Sequence, residues 1–121
     1  MKRHNPRFEA AVDRARARIT ELTVEQLRAR TDPYTLIDVR EDREWAVDHI
    51  VGAIHLSKGI LERDIGREFD TDAPLVLYCG GGYRSALAAE ALQQMGYTQV
   101  ASMDGGIRRW RNLGLPLTTE G

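Results

Sequence analysis

Pro74-Leu75-Val76-Leu77-Tyr78-Cys79-Gly80-Gly81-Gly82-Tyr83-Arg84-Ser85 is the stretch on which the reading of this chain turns. The apolar run is a short buried strand. The glycines are a loop, and Ser85 to Met95, rich in alanine, is strongly helix-forming. Gly96 stands at the position past a helix end that favours a left-handed backbone. A strand that ends in a thiol and turns through glycines into a helix can aim backbone N–H groups at the sulfur, and the helix N-terminus adds its positive end. Arg84 adds a full charge. All three favour thiolate over thiol, and an ordinary cysteine, titrating near about 8.5, is mostly unreactive at neutral pH. Cys79 is the only cysteine in the chain. It is read as a nucleophile rather than a small core residue, because consecutive glycines cost backbone entropy and pack nothing, whereas a loop that wraps an anion needs them.

Upstream, Tyr34 to Val39 is a strand candidate with Asp38 near its end, followed by a helix of about residues 43–48 that Asp42 caps. His49 to Leu56 reads as a loop entering a short buried strand. Apolar Leu61, Ile65 and Phe69 mark a helical face, and Asp70 to Pro74 is turn chemistry. Downstream, a strand is expected at about residues 99–102. Met103-Asp104-Gly105-Gly106 then turns into a short helix holding Trp110, which Gly114 and Pro116 stop. Nearer the start, Phe8, Val12, Ala15 and Ile19 form one stripe of an amphipathic helix, and Thr23-Val24-Glu25-Gln26 is a capping box opening another. Strands alternating with helices imply an α/β fold with a mostly parallel sheet of about five strands and helices on both faces. Ligands in such sheets collect at the carboxyl ends of strands, where Asp38 and Cys79 both lie.

The 121 residues suit one globular core without metal or disulfide. A single cysteine fits a reducing compartment. The basic start lacks the apolar stretch of a secretory signal, and no segment is apolar enough to span a bilayer, so a cytoplasmic location and no membrane partner are expected. Net charge is −1, which argues against nucleic-acid binding. The charge is uneven: residues 1–30 carry eight Lys or Arg against four Asp or Glu. Arg14, Arg16 and Arg18 are read as a solvated helix face. His49, His55 and Cys79 lack the close pairing of zinc ligands, and no cofactor is expected. His49 is read as a loop residue holding backbone groups. Trp45 and Trp110 are read as packing residues.

Four segments in order resemble the rhodanese sulfurtransferase family, most closely its single-domain members. They are Leu36-Ile37-Asp38-Val39-Arg40; His49 to His55, similar to the family's G-H-I-P-G-A element; the loop from Cys79 to Ser85; and Asp104-Gly105-Gly106-Ile107-Arg108-Arg109-Trp110 with Gly114-Leu115-Pro116, similar to G-G-x-x-x-W and G-x-P. Asp48 and Val51 depart from the family's glycine and proline. The resemblance implies a rhodanese-like domain over residues 21–121, with residues 1–20 a helical extension outside the common core. It further implies that Cys79 takes a sulfane sulfur from thiosulfate or a persulfide, holds it as a persulfide, and passes it to a thiol, cyanide or a sulfur-relay protein. Backbone N–H groups of Gly80, Gly81, Gly82, Tyr83, Arg84 and Ser85 are expected around the terminal sulfur, with Asp38 and Arg40 in support. Arg84 is expected to bind carbonyls or a carboxylate such as Asp38. Ser85 is assigned mainly to helix N-terminal bonding. Arg108, Arg109 and Arg111 are expected on the last helix, placed either to attract an anionic donor or as a solvated face. Three other functions use the same residues: a persulfide carrier or regulatory module without efficient turnover, a cysteine-dependent phosphatase, and an arsenate reductase. The phosphatase loops of this fold hold one residue more between cysteine and arginine, a ring wide enough for a tetrahedral oxyanion.

Overall fold

The computed structural model describes residues 4–120, so the first three residues of the basic N-terminal stretch lie outside the described residues. In chain order the elements are α1 (Pro6–Arg16), β1 (Thr20–Leu22), α2 (Val24–Ala29), β2 (Thr35–Asp38), α3 (Asp42–Val47), β3 (His49–Ile50), β4 (Ile54–His55), α4 (Lys58–Asp64) with a 3-10 turn Ile65–Arg67, β5 (Leu75–Tyr78), α5 (Tyr83–Gln94), β6 (Val100–Met103), α6 (Gly106–Asn112) and β7 (Leu117–Thr118). Five strands form a parallel sheet in the order β1-β6-β5-β2-β4. The expected α/β architecture is present.

Alternation along the central strand divides the core in two. Leu75, Leu77 and Cys79 face one side with Ile37, Val39, Leu61, Ile65, Ala88, Ala89 and Leu92. Val76 and Tyr78 face the other, with Leu36, Val24, Leu27, Met103 and Ile107. Small alanines on the sheet side of α5 let its backbone come close, which sets the helix N-terminus directly over the end of β5. This is how the sheet delivers the thiol to a helix start.

Several boundaries differ from the sequence reading. Helix α1 ends at Arg16, and Ile19 packs on the core from beyond it. Glu41, not Asp42, is the N-cap of α3; the Glu44 carboxylate accepts from the Glu41 N–H at 3.1 Å. Leu61 lies on a helix and Ile65 on a 3-10 turn, with Phe69 beyond both, instead of one helix. His49–Ile50 is a strand, paired antiparallel with Leu117–Thr118 in a separate two-stranded sheet. Arg14, Arg16 and Arg18 do not form one solvated helix face: Arg16 bonds Glu21 at 3.0 Å and Asp104 at 2.9 Å, and Arg18, beyond the end of α1, bonds Glu90 at 3.2 Å. The Thr23 capping box is formed as read, with Gln26 N–H on the threonine oxygen at 3.0 Å.

The buried ion pair Asp38–Arg40 ties the end of β2 to the next crossover. Arg40 Nη2 donates to Asp38 at 2.8 Å and to the Asp48 carbonyl at 2.7 Å, and its backbone N–H donates to Asp38 Oδ1 at 2.9 Å. Burial works against the Arg40 charge, but the hydrogen bonds and charge of Asp38 outweigh it and leave the guanidinium raised. The Tyr78 hydroxyl, pushed up chiefly by burial, accepts the Ile50 N–H at 3.1 Å and seals the neighbouring corner. Removing one partner of such a pair leaves an uncompensated buried charge, at about 3–5 kcal/mol. Asp38→Ala is therefore expected to lose about that much in urea unfolding. The double replacement Asp38→Ala with Arg40→Met should recover most of it, and equal losses in both proteins would contradict the assignment.

Candidate active site

The loop from Cys79 to Gly82 is shaped by two glycines in different segments. Gly82 is the N-cap of α5 with φ of 101°, a left-handed conformation open to glycine at little cost. Gly106, with φ of 58°, starts α6 so close to the loop that an added Cβ would lie 2.5 Å from the carbonyl oxygens of both Cys79 and Gly80. That contact lets the first N–H groups of α6 reach those carbonyls: Ile107 donates to Cys79 at 2.9 Å and Arg108 to Gly80 at 3.0 Å. With its carbonyls held outward by α6, the loop turns its later amides inward.

Two amides of the loop bond Cys79 Sγ itself. Gly82 N–H donates to Cys79 Sγ at 3.1 Å and Ser85 N–H at 3.4 Å. The neutral Cys79 thiol donates to Ser85 Oγ at 3.5 Å, and Ser85 Oγ lies 2.8 Å from Ser102 Oγ. Ser85 therefore serves the sulfur with both backbone and side chain, against the reading that gave it mainly a helix-start role. Ser102 was not anticipated; a polar residue within the short strand Val100-Ala101-Ser102-Met103 was the available signal. Cys79 is 1% exposed, buried against aliphatic neighbours on one side and facing the Gly82 and Ser85 N–H groups on the other.

Arg84 does not bind Asp38, because Asp38 is already taken by Arg40. Its fork instead grips Glu44 of α3 at 2.6 and 3.1 Å, which fixes the first turn of α5 from outside. The Arg84 bonds hold the Glu44 carboxyl down to about 2, against the opposing effect of burial. The guanidinium is raised in turn, first by Glu44 and also by the charge on Cys79. A cleft of about 520 Å³ opens beside this pair, bounded by Val39, Glu41, Ser57, Lys58 and Arg84; Cys79 does not line it.

Tyr83 is packed from the N-terminal side, with ring centroids 4.6 Å from His4 and 6.0 Å from Phe8. The three arginines of α6 separate by partner. Arg109 bonds Glu25 at 2.6 Å, and Arg111 bonds Asp48 at 2.7 Å. Arg108 is exposed, has no ion pair among the described residues, and lies 3.0 Å from where a Gly81 Cβ would be. His49 sits away from the sulfur, its ring nitrogens 3.0 Å from the Trp45 carbonyl and 2.7 Å from that of Glu120. Trp45 stacks on His49 and His55, and Trp110 donates to the Pro116 carbonyl at 2.9 Å.

The rhodanese-like domain model matches residues 23–113, and the chain belongs to the rhodanese-like domain family. It is 37% identical over 98 residues to the thiosulfate sulfurtransferase GlpE of Pseudomonas fluorescens, covering 80% of this chain and 89% of that protein. Among solved structures, a Rhodopseudomonas palustris protein described as a possible tyrosine phosphatase superposes with a TM-score of 0.80 at 31% identity, over 98% of this chain and 99% of the other. The polysulfide-sulfur transferase homodimer of Wolinella succinogenes gives 0.75 at 30% identity, over 93% and 87%.

The Arg84–Glu44 clamp carries a pH signature. The folded carboxyl is lowered from 4.5 to about 2, so its stabilising effect is complete above about 4.5 and disappears as pH falls toward 2. The side chains are about a third exposed, which limits the effect to about 1 kcal/mol. Glu44→Gln is expected to melt a few degrees lower than the unsubstituted protein at pH 7 and to converge with it near pH 2. A gap unchanged across that range would show that the clamp contributes nothing through charge.

Proposed function

We propose that this protein is a sulfurtransferase that carries a sulfane sulfur on Cys79. The observation that carries the reading is a lone cysteine whose sulfur accepts the Gly82 and Ser85 amides at the N-terminus of α5. With thiosulfate, the Cys79 thiolate attacks the outer sulfur; a new S–S bond forms, the old one breaks, and its electron pair leaves on sulfite. The product is a persulfide anion. Gly82, Ser85 and the neighbouring loop amides then face a sulfur that holds negative charge where water is largely excluded. An acceptor such as cyanide or a thiolate attacks the terminal sulfur and returns Cys79 as thiolate. Both half-reactions share one covalent intermediate, so ping-pong kinetics follow.

The phosphatase reading fits less well. Four residues separate Cys79 from Arg84, a small ring, and Arg84 spends both ends of its fork on Glu44 and not on an oxyanion in the loop. Arsenate reduction meets the same objection. Among the described residues Arg108 is the free cation at the loop, and it fits the recruitment of an anionic donor.

Mass spectrometry after thiosulfate treatment tests the reading: one added sulfur is expected on the unsubstituted chain and none on Cys79→Ser. Hydrolysis of an aryl phosphate that exceeds thiosulfate turnover and depends on Cys79 would overturn it, while sulfur loading with little thiocyanate formed would mark a carrier. Arg108→Gln is expected to raise KM for thiosulfate about threefold to tenfold and to leave kcat nearly unchanged. An unchanged KM would remove Arg108 from donor recruitment.

A further inference from the structure

We propose that Ser102 is a positioning residue for the sulfur chemistry, its hydroxyl holding that of Ser85 as a hydrogen-bond donor to the ionised Cys79 Sγ. The inference rests on the sulfurtransferase reading and extends the site to a strand that the loop does not include.

Ser102 of β6 is in register with Leu77 of β5. It therefore faces the same side of the sheet as Leu77 and Cys79, under α5, in a layer otherwise filled by residues such as Val100, Ala89 and Leu92. Apolar side chains suit that position. Ser85 and Ser102 are both fully buried, and the Ser102 hydroxyl has one partner among the described residues, Ser85 Oγ at 2.8 Å.

Proton counting fixes the direction of this chain. Two hydroxyls and an anionic sulfur offer two protons and two links, Ser102 to Ser85 and Ser85 to Sγ. Both protons are used when Ser102 donates to Ser85 and Ser85 donates to the sulfur. In the opposite order the Ser102 proton has no acceptor, and a buried donor left unmade is costly. A protonated thiol adds a third proton to the same two links, so one hydrogen is always stranded. The relay is therefore complete with a thiolate or a persulfide anion and incomplete with a thiol. Without Ser102, Ser85 is free to turn its proton to a carbonyl of the preceding turn, a habit of serine in helices.

Among the described residues, the charged groups placed at the loop are Arg84, its partner Glu44 with Glu41 beside it, and Arg108 over Gly81. Replacing Ser102 touches none of them. A change on removing the hydroxyl is thus assignable to the relay.

The single cysteine makes the test direct. Thiolate absorbance near 240 nm, with Cys79→Ser as blank, is followed against pH in the intact protein without any sulfur donor. In Ser102→Ala the midpoint is expected to move up by about half to one pH unit. Ser102→Thr, which keeps the hydroxyl, should hold the original midpoint. The double variant Ser85→Ala/Ser102→Ala should match Ser85→Ala alone, since Ser102 acts through Ser85. A Ser102→Ala midpoint equal to that of the unsubstituted protein, a Ser102→Thr midpoint displaced like that of Ser102→Ala, or shifts that add in the double variant would overturn the proposal. Failure of the sulfurtransferase reading is scored separately, as absence of sulfur uptake from thiosulfate by the unsubstituted chain.

Discussion

Helix α6 holds the carbonyls of Cys79 and Gly80, and the rest of the site depends on that docking. Two N–H groups at its start, from Ile107 and Arg108, face those oxygens at 2.9 and 3.0 Å. Each such peptide unit points its own N–H opposite to its oxygen, and the Gly82 and Ser85 amides that follow reach the sulfur. The approach leaves no room for a side chain at Gly106, so the Gly105-Gly106 pair belongs to the loop chemistry as much as the glycines after Cys79 do. Anion stabilisation by main-chain donors needs no mobile charge and no reorganisation when the sulfur becomes negative.

Around this backbone cradle the charges are arranged in pairs that fix elements to one another. Asp38–Arg40 is buried and joins β2 to the crossover at Asp48. Arg84–Glu44 joins α5 to α3, and Arg109–Glu25 and Arg111–Asp48 fasten α6 to α2 and to the approach of β3. Arg16 adds a link from α1 to Asp104, just ahead of Gly105. These pairs are mostly at the surface and individually small in effect. Their common result is that the starts of α5 and α6, which build the loop, are each held from outside.

The strand, glycine loop and helix around Cys79 were legible because each obeys a local rule: an apolar run, a break in propensity, an alanine-rich stretch. The α/β class and the capping box at Thr23 followed from the same kind of pattern. Partners across long sequence separations were not legible. Nothing local says that Arg84 meets Glu44 forty residues earlier, because the competing carboxylate Asp38 looks as suitable until Arg40 is seen to occupy it. Strands β1, β3 and β7 are two or three residues long, too short for any period to register. Ser102 announced itself only as a polar residue in a short strand, and its meaning required the register with Leu77. Only part of Gly106's role was visible, since a turn glycine and a glycine demanded by a carbonyl 2.5 Å away look the same in a sequence.

Amide proton and nitrogen spectra of the labelled protein, recorded before and after thiosulfate, address the inward-facing backbone most directly. The Gly82 and Ser85 resonances should move furthest when the sulfur is loaded, and neither should move in Cys79→Ser. A protein that gains the sulfur by mass while both amides stay in place would contradict the account.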